Sequence, residues 1–561
     1  MKKESALIEK ALILTAAIIY LWIFNQTLPH GDALRVVRQI ESSDLVWNPN
    51  HLIFDPIGYA FYRLLSRYLA DVTPLASFEI ISVIATLVSL MIFVETLVRS
   101  GVKRPVRMIA VVGFFASASF LALAGSQYYF MVQMPFLLGA LYLYVDFILK
   151  LRAGQSTGAN LYGMGVLLAL ASAVMFNNLL LVIAAGLAVG FVHTSWRRWE
   201  LRNTLRLYVA AAAVGFPVFI GGYIFSGTTS NLIAWLLSYE GAAVSRLNEF
   251  YGLKWTLSGV VQGIVKTGFN FILGSMVGCA GLGTVLSVII FGQTYEFIPQ
   301  WSKIVLSLMA IPLTMAMTLW ILYFIFRRFS AEPAVRFLAI WLLAYVVFNF
   351  LWESHDAIFW MQTIPAVWLL LLLSLGAMSE PVLIGNELIL SRGVSGWRWK
   401  ALAVFVSILL IVNTKNVIVP LAERDYYQKQ SRHALILRDG DLEIIAGWDQ
   451  QKWLTLSEEA PKVRRLVLMN MALAATESGE AMQRLPELVE SHLRSGGRVI
   501  VARVFDLDED IMPWYGLQHL GWSRDKIQDL LAPFCNRKID QIDSVVFREL
   551  YICGNSLSDG K

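Results

Sequence analysis

The sequence predicts a polytopic α-helical membrane protein that carries a small α/β domain at its carboxyl end. Three observations predict it. The 561-residue chain is 57% hydrophobic and only 16% charged, and its mean hydropathy of +0.59 is far too high for a soluble globule. Several apolar runs reach the roughly 20 residues needed to cross a hydrocarbon core. From about residue 420 the pattern changes to short β-rich runs alternating with helical ones.

The opening "MKKESALIEKALILTAAIIYLWIF" reads as a retained first helix, because its apolar part is long and no small-x-small cleavage site follows. Apolar runs fall near residues 11–28, 77–98, 108–124, 130–149, 161–176, 179–193, 207–226, 303–326, 336–352, 360–378 and 400–418. Basic clusters occupy alternate connections: Lys2, Lys3 and Lys10, then "VRSGVKRPVR", "LKLRAG", "SWRRWELRNTLR", "FRRFSAEPAVR" and "SRGVSGWRWK". The opposite connections "SQYYF", "FNN" and "WESHDAIFW" hold no Lys or Arg. The positive-inside rule places the amino terminus in the cytoplasm. The net charge of +5 thus reads as a topology signal and not as a nucleic-acid surface. Residues 254–292 fit either two short crossings or a re-entrant plus interfacial helix, which gives 11 or 13 crossings. An odd number leaves the carboxyl end outside, as expected of a multi-pass protein of a bacterial inner (plasma) membrane.

Residues 29–76 form the first long outer loop. Ala33, Val36, Val37 and Ile40 share one helical face, and Phe54, Ile57, Phe61, Leu65 and Tyr68 repeat the pattern. Two amphipathic juxtamembrane helices account for this spacing. Asp55-Pro56 and Thr73-Pro74 read as N-cap-plus-proline starts. Asp32, at the beginning of the first helix, can likewise be an N-cap and nothing more. His30 stands beside it, His51 and Asp55 recur in "NPNHLIFDP", and Glu353, His355 and Asp356 cluster in "LWESHDAIFW". Three of the seven histidines therefore sit on the outer face near an acid. Ionisable groups near a membrane core cost roughly 2.5–3.5 kcal/mol each at the centre and less at the edge, so such clusters mark sites. Together they point to one outer-facing cavity.

The tail, residues 421–561, holds about half of the chain's 41 acidic residues. "HALIL", "LEIIAGW", "RRLVLMN", "RVIVARVF" and "SVVFRELYIC" read as strands, and "GEAMQRLPELVESHLRSGG" as helix, giving a three-layer α/β domain on the outer side. No glycine-rich nucleotide motif supports a nucleotide site there. Cys279 lies in a membrane segment. Cys535 and Cys553 can form a disulfide in an outer compartment or remain two inert thiols.

An inside amino terminus, a first crossing, an aspartate opening a long outer loop with two juxtamembrane helices, a many-helix body and an outer tail form a familiar order. The chain resembles the GT-C superfamily of integral-membrane glycosyltransferases, in the branch of protein O-mannosyltransferases and aminoarabinose-type lipid transferases. "HGDALRVVRQI" resembles that family's first-loop acidic motif, and "NPNHLIFDPIGYAFYRLL" the approach to its second juxtamembrane helix. "SHDAIFWMQTIPAVWLLLLL" resembles the late re-entry, with His355 where many members carry arginine. The layout covers residues 1–420, the expected catalytic module.

The resemblance implies a sugar carried on polyprenyl phosphate and transferred, with inversion, to a lipid, glycan or protein acceptor at the outer face, among membrane lipids. It implies that Asp32 is the general base. The leaving phosphate needs cationic or donor groups, for which His355 leads and His51, Arg246, Lys254 and Lys266 follow. His30, Asp55, Gln127, Tyr128, Asn178, Glu353 and Asp356 are expected to line the cavity or meet the acceptor. The second outer connection departs from the family pattern, offering Gln127, Tyr128 and Gln133 in place of an acid. Asp32, His51 or Asp55, and His355 also suit a divalent metal ion by residue type, without the spacing of a closed site. A transporter or flippase for a lipid-linked or small polar substrate is the alternative. Against it, the ionisable groups gather at one face and no paired broken repeats are evident. A non-catalytic scaffold is a third reading.

Overall fold

The computed structural model describes the chain except residues 1, 25–36, 38–39, 41–46, 70–71, 127–129, 192–199, 229–230, 238–254, 270, 272–274, 278–300, 352–356, 379–380, 385–386, 391–395, 420–431, 447–462, 469–470, 473–479, 506–516, 518–521, 543–544 and 554–561. Helices follow the apolar runs closely. The first is α1 (Lys2–Ile23), and further along come α2 (Phe54–Leu65) and α3 (Pro74–Arg99). Thr73 caps α3, its Oγ1 accepting from Ala76 N at 3.2 Å, and proline fills the first turn where no amide donor is needed. The run at 108–124 is two helices, α4 (Arg104–Ala116) and α5 (Ala118–Leu123), broken at an extended Ser117.

That break leaves carbonyls that lipid could not satisfy, so side chains from later in the sequence close it. Asn413 Nδ2 donates to Ala116 O at 2.6 Å and to Met276 O at 2.7 Å. Ser117 Oγ accepts from Trp368 Nε1 at 3.0 Å and donates to Gly113 O at 3.0 Å. Helices α6 (Phe130–Arg152), α7 (Gly158–Val174), α8 (Leu179–Gly190) and α9 (Leu201–Phe225) follow. Beyond them lie α10 (Leu232–Leu237), α11 (Leu257–Phe269), α12 (Trp301–Arg328), α13 (Pro333–Leu351) and α14 (Ile364–Ser374). An antiparallel pair, β1 (Pro381–Ile384) and β2 (Glu387–Leu390), precedes α15 (Gly396–Asn413); nothing in the sequence reading anticipated it. Five helices among the described residues are long and apolar enough to cross a membrane: α3, α6, α9, α13 and α15 with the turn after it.

Helices α7 and α9 touch backbone to backbone. A Cβ on Gly165 would lie 2.3 Å from Leu207 O and 3.0 Å from Ala211 N, atoms that no rotamer change can move. Gly165→Ala is therefore expected to push the pair apart and to cost about 1–3 kcal/mol, read as a lowered thermal midpoint of the detergent-solubilised chain. At the end of the bundle holding the basic clusters, several of the described cations are matched. Arg107 makes a two-pronged pair with Glu9 at 2.7 and 2.6 Å, Lys10 pairs with Glu95, and Asp146 receives Arg99, Lys150 and Asn160.

After residue 431 the chain forms a five-stranded sheet in the order β4 (Arg464–Val467), β3 (Leu442–Ile445), β5 (Val499–Ala502), β7 (Val545–Ile552), β6 (Phe534–Ile542). The first three strands are mutually parallel, and β7 and β6 are antiparallel to their neighbours. Helices α16 (Glu480–Gln483), α17 (Leu485–Arg494) and α18 (Arg524–Leu531) cover one face through Met482, Leu485, Val489, Ile527 and Leu531. Ile436 and Leu437 cover the other. "HALIL" is helical at 432–436 and not a strand, because a short apolar run does not fix its own period. The helix brings His433 Nε2 to 2.6 Å from Glu443 Oε1. Strand β6 was not foreseen, since its half-exposed face reads as polar.

Glu443 is fully buried, and Arg465 Nε donates to its other oxygen at 2.8 Å. Burial pushes this carboxyl up, but the His433 hydrogen bond and the charges of His433 and Arg465 outweigh it and hold the group below the ordinary glutamate range. The folded state thus binds its proton less readily than the unfolded chain does. The stability it contributes is complete above its ordinary value of about 4.5 and is lost as pH falls through the lower folded value. The unfolding midpoint of the sheet should therefore drop in that acid window, and Glu443→Gln should flatten the drop; circular dichroism melts across pH 3–6 (about that range) check both. Cys535 and Cys553 form a disulfide across β6 and the end of β7, with Cα atoms 5.1 Å apart, resolving the choice that the sequence left open. Closing so short a loop stabilises by about 3 kcal/mol, the loss expected for Cys535→Ser with Cys553→Ser in the same denaturation assay.

Candidate functional site

The segment entering α2 is fixed by five contacts. A 3₁₀ turn, Pro49–His51, closes with His51 N donating to Asn48 O at 3.0 Å. Leu52 fills the space left by Gly222 of α9, where a Cβ would come within 2.2 Å of its Cδ1. Ile53 N donates to Ala173 O at 3.1 Å, tying the segment to the last turn of α7. Trp47 stacks on Phe225 at 5.2 Å, and Phe54 on Phe78 at 5.0 Å. These anchors bury His51 and Asp55 to 5% and 3% exposure. An imidazole and a carboxyl are thereby removed from water at one end of the bundle, where burial is costly and must be offset by partners or use.

Asp55 is not the N-cap of α2. The helix starts at Phe54 with Ile53 as its cap, so Asp55 lies in the first turn. The backbone bond from Ile53 to Ala173 draws the start forward. In that turn the carboxylate still faces the positive end of the helix.

The turn 49–51 packs on a second 3₁₀ turn, Phe176–Asn178, that joins α7 to α8. Asn178 is fully enclosed. Its Nδ2 donates to Gln133 Oε1 at 2.7 Å and to Ala171 O at 2.9 Å, and its Oδ1 accepts from Tyr345 Oη at 2.5 Å. Gln133 Oε1 also meets Gln362 Nε2 at 3.5 Å, and Trp341 Nε1 donates to Gln362 O at 2.9 Å. Gln362 belongs to the 3₁₀ stretch Ala357–Thr363, which begins two residues after His355 and leads into α14. Phe359 packs edge-on against Phe130 at 5.2 Å, and its carbonyl accepts from Asn349 Nδ2 at 3.0 Å.

A polar network inside apolar helices thus links the turn 176–178, on which the loop of His51 and Asp55 packs, to the late re-entry. Tyr345, Gln362 and Trp341 escaped the sequence reading. Their signal was present as isolated polar groups within "LLAYVVFNFL" and "IFWMQTIPAVW".

Of the residues expected at the site, His51, Asp55 and Asn178 are gathered at this end. Asp32, His30, Gln127, Tyr128, Arg246, Lys254, Glu353, His355 and Asp356 lie outside the described residues, as does Cys279. Lys266 belongs to α11, its side chain outside the described set. In the first juxtamembrane segment, Val37 and Ile40 are helical and buried at 1% and 2%, on the apolar face that the spacing assigns to them. Among the described residues no group of three or more His, Cys, Asp or Glu is placed to hold a metal ion; His51 and Asp55 are the two expected ligands that can be placed.

No protein-family model and no curated protein matches the chain. Solved structures do match in fold. ArnT from Cupriavidus metallidurans bound to undecaprenyl phosphate aligns with a TM-score of 0.52 at 9% identity, over 96% of this chain and 97% of ArnT. The oligosaccharyltransferase of Archaeoglobus fulgidus in its apo form aligns with a TM-score of 0.51 at 14% identity, over 94% of this chain and 72% of that one. A complex of the same archaeal enzyme, AglB, with an inhibitory peptide and a dolichol-phosphate gives 0.50 at 13% identity. At such identities the likeness is one of fold, and the fold is that of the GT-C glycosyltransferases.

Proposed function

We propose that the chain is a glycosyltransferase that moves a sugar from a polyprenyl-phosphate carrier to a hydroxyl-bearing acceptor, lipid, glycan or protein, at the outer face of the membrane. The observation that carries this reading is the end-to-end correspondence in fold with a transferase that holds undecaprenyl phosphate. The burial of His51 and Asp55 beside the network that leads to the late re-entry supports it.

Asp32 takes the proton of the acceptor hydroxyl as the oxygen attacks the anomeric carbon. The bond to the carrier phosphate breaks on the opposite face, which inverts the centre. Polyprenyl phosphate leaves as an anion, and His355 and His51, with Arg246, Lys254 and Lys266, meet its charge. His30, Asp55, Gln127, Tyr128, Glu353 and Asp356 border the space for sugar and acceptor. Asn178 holds the two sides of that space in register through Gln133 and Tyr345. If Asp32, His51 or Asp55, and His355 hold a divalent ion, chelation stops transfer and added metal restores it.

The same reading divides the chain at residue 420 into a catalytic module of 11 or 13 crossings and an outer α/β domain, 421–561. It places the amino terminus in the cytoplasm of a bacterial cell. The disulfide between Cys535 and Cys553 supports the outer placement, since such bonds persist in oxidising compartments. The test is sugar transfer by the purified chain in liposomes supplied with candidate polyprenyl-phosphate sugars. Release of free polyprenyl phosphate with a new glycoside supports the proposal, whereas movement of substrate across the bilayer with no new glycosidic bond overturns it.

A further inference from the structure

A second site lies at the other end of the bundle. A cavity of about 430 Å³ opens between α7 and α9, lined by Tyr162, Leu201, Arg202, Leu205, Arg206 and Val209. The helix from Arg202 to Gly222, against which Leu52 rests, rises about 30 Å at ~1.5 Å per residue. The cavity and the candidate catalytic site are therefore about one hydrocarbon thickness apart.

The arginines differ from their neighbours in having no described partner. Arg107, Arg99 and Lys150 are matched by Glu9 and Asp146, and Arg336 is held by the carbonyls of Phe329, Phe191 and Ser330. Arg202 and Arg206 make no hydrogen bond or ion pair with any described residue. The nearby Glu200 accepts from Asn203 Nδ2 at 2.8 Å. Two guanidinium groups four residues apart repel along the helix, and Arg202 stands in its first turn, near the positive end. An anion relieves both penalties.

The apolar lining says which anion. Leu201, Leu205 and Val209 form a ridge beside the arginines and are 50%, 49% and 60% exposed. Only 22% of the apolar window of α9 is buried inside the protein, which leaves most of this helix open to lipid. Tyr162, near the start of α7, adds a phenol, a group enriched at the headgroup level. We propose that this groove binds an anionic phospholipid of the leaflet opposite the candidate catalytic site. Its phosphate lies between Arg202 and Arg206, and an acyl chain runs along Leu201, Leu205 and Val209.

Native mass spectrometry of the full chain in detergent, titrated with dioleoyl phosphatidylglycerol or dioleoyl phosphatidylcholine, tests this. Phosphatidylglycerol should bind in preference, and Arg202→Ala with Arg206→Ala should weaken it by roughly tenfold while leaving phosphatidylcholine unchanged. The Lys pair at the same positions should keep most of the preference. Equal binding of the two lipids, an unaltered preference in the Ala pair, or displacement of the lipid by millimolar inorganic phosphate overturns the proposal. Should the Ala pair not fold by circular dichroism, Leu205→Glu sets an acid in the groove with both arginines intact. It should abolish the preference, and its failure to do so counts equally against the lipid.

Discussion

Asp32→Asn is expected to lower sugar transfer by about 10²- to 10⁴-fold, the usual contribution of a positioned general base, and to leave folding and membrane insertion unchanged. The choice of asparagine separates the two roles open to this residue. Asn and Asp are equally good N-caps, so the helix expected to follow residue 32 keeps its start, while the amide cannot accept the acceptor's proton. A variant as active as the parent would reduce Asp32 to a cap and remove the base from the mechanism. Asp32→Ala adds the complementary measurement. It should lose activity to the same extent and also about 0.5–2 kcal/mol of stability, the usual cost of a missing cap. Initial rates with saturating carrier-linked sugar, alongside thermal midpoints, give both readings.

Asn178→Ala is expected to act on stability, through structure. It removes both donors to Gln133 Oε1 and Ala171 O and the acceptor of Tyr345 Oη. Unsatisfied buried groups cost about 1–3 kcal/mol each, though hydrogen bonds between membrane helices average nearer ~0.6 kcal/mol because the unpacked helices find other partners. A loss of about 2–4 kcal/mol follows. Tyr345→Phe removes a single bond and should cost about 1 kcal/mol. The double variant should lose less than the sum, because the Tyr345 bond is already absent once Asn178 is gone. Strict additivity in the unfolding midpoints would mean that the two side chains do not share a network in the working protein.

How much the sequence disclosed differs from element to element. The helices α3, α6, α9, α13 and α15 coincide with apolar runs because a membrane leaves the backbone no other economy: each amide must bond within its own helix. Thr73 and Pro74 likewise declared the start of α3 by local chemistry alone. Asp55 did not declare that of α2, since the bond from Ile53 to Ala173 is set by a residue more than a hundred positions away. The break at Ser117 is invisible within "FFASASFL". What allows it is Asn413, whose amide satisfies the carbonyl that the break exposes.

In the tail, β3, β4, β5 and β7 carry enough apolar residues to announce themselves. "HALIL" read as a strand, whereas it is helical and brings His433 to its partner Glu443. The site divides in the same way. Burial of His51 and Asp55 could be suspected from ionisable groups beside a membrane run. The residues that connect their loop to the late re-entry could not, because Gln133, Asn178, Tyr345 and Gln362 are far apart in the chain. By itself, the sequence marked which segments are apolar enough to form the helices of a membrane protein and which groups are too polar to be there without cause. Tertiary structure alone decided which of those groups meet, because a hydrogen bond between distant segments depends on packing that no local pattern encodes.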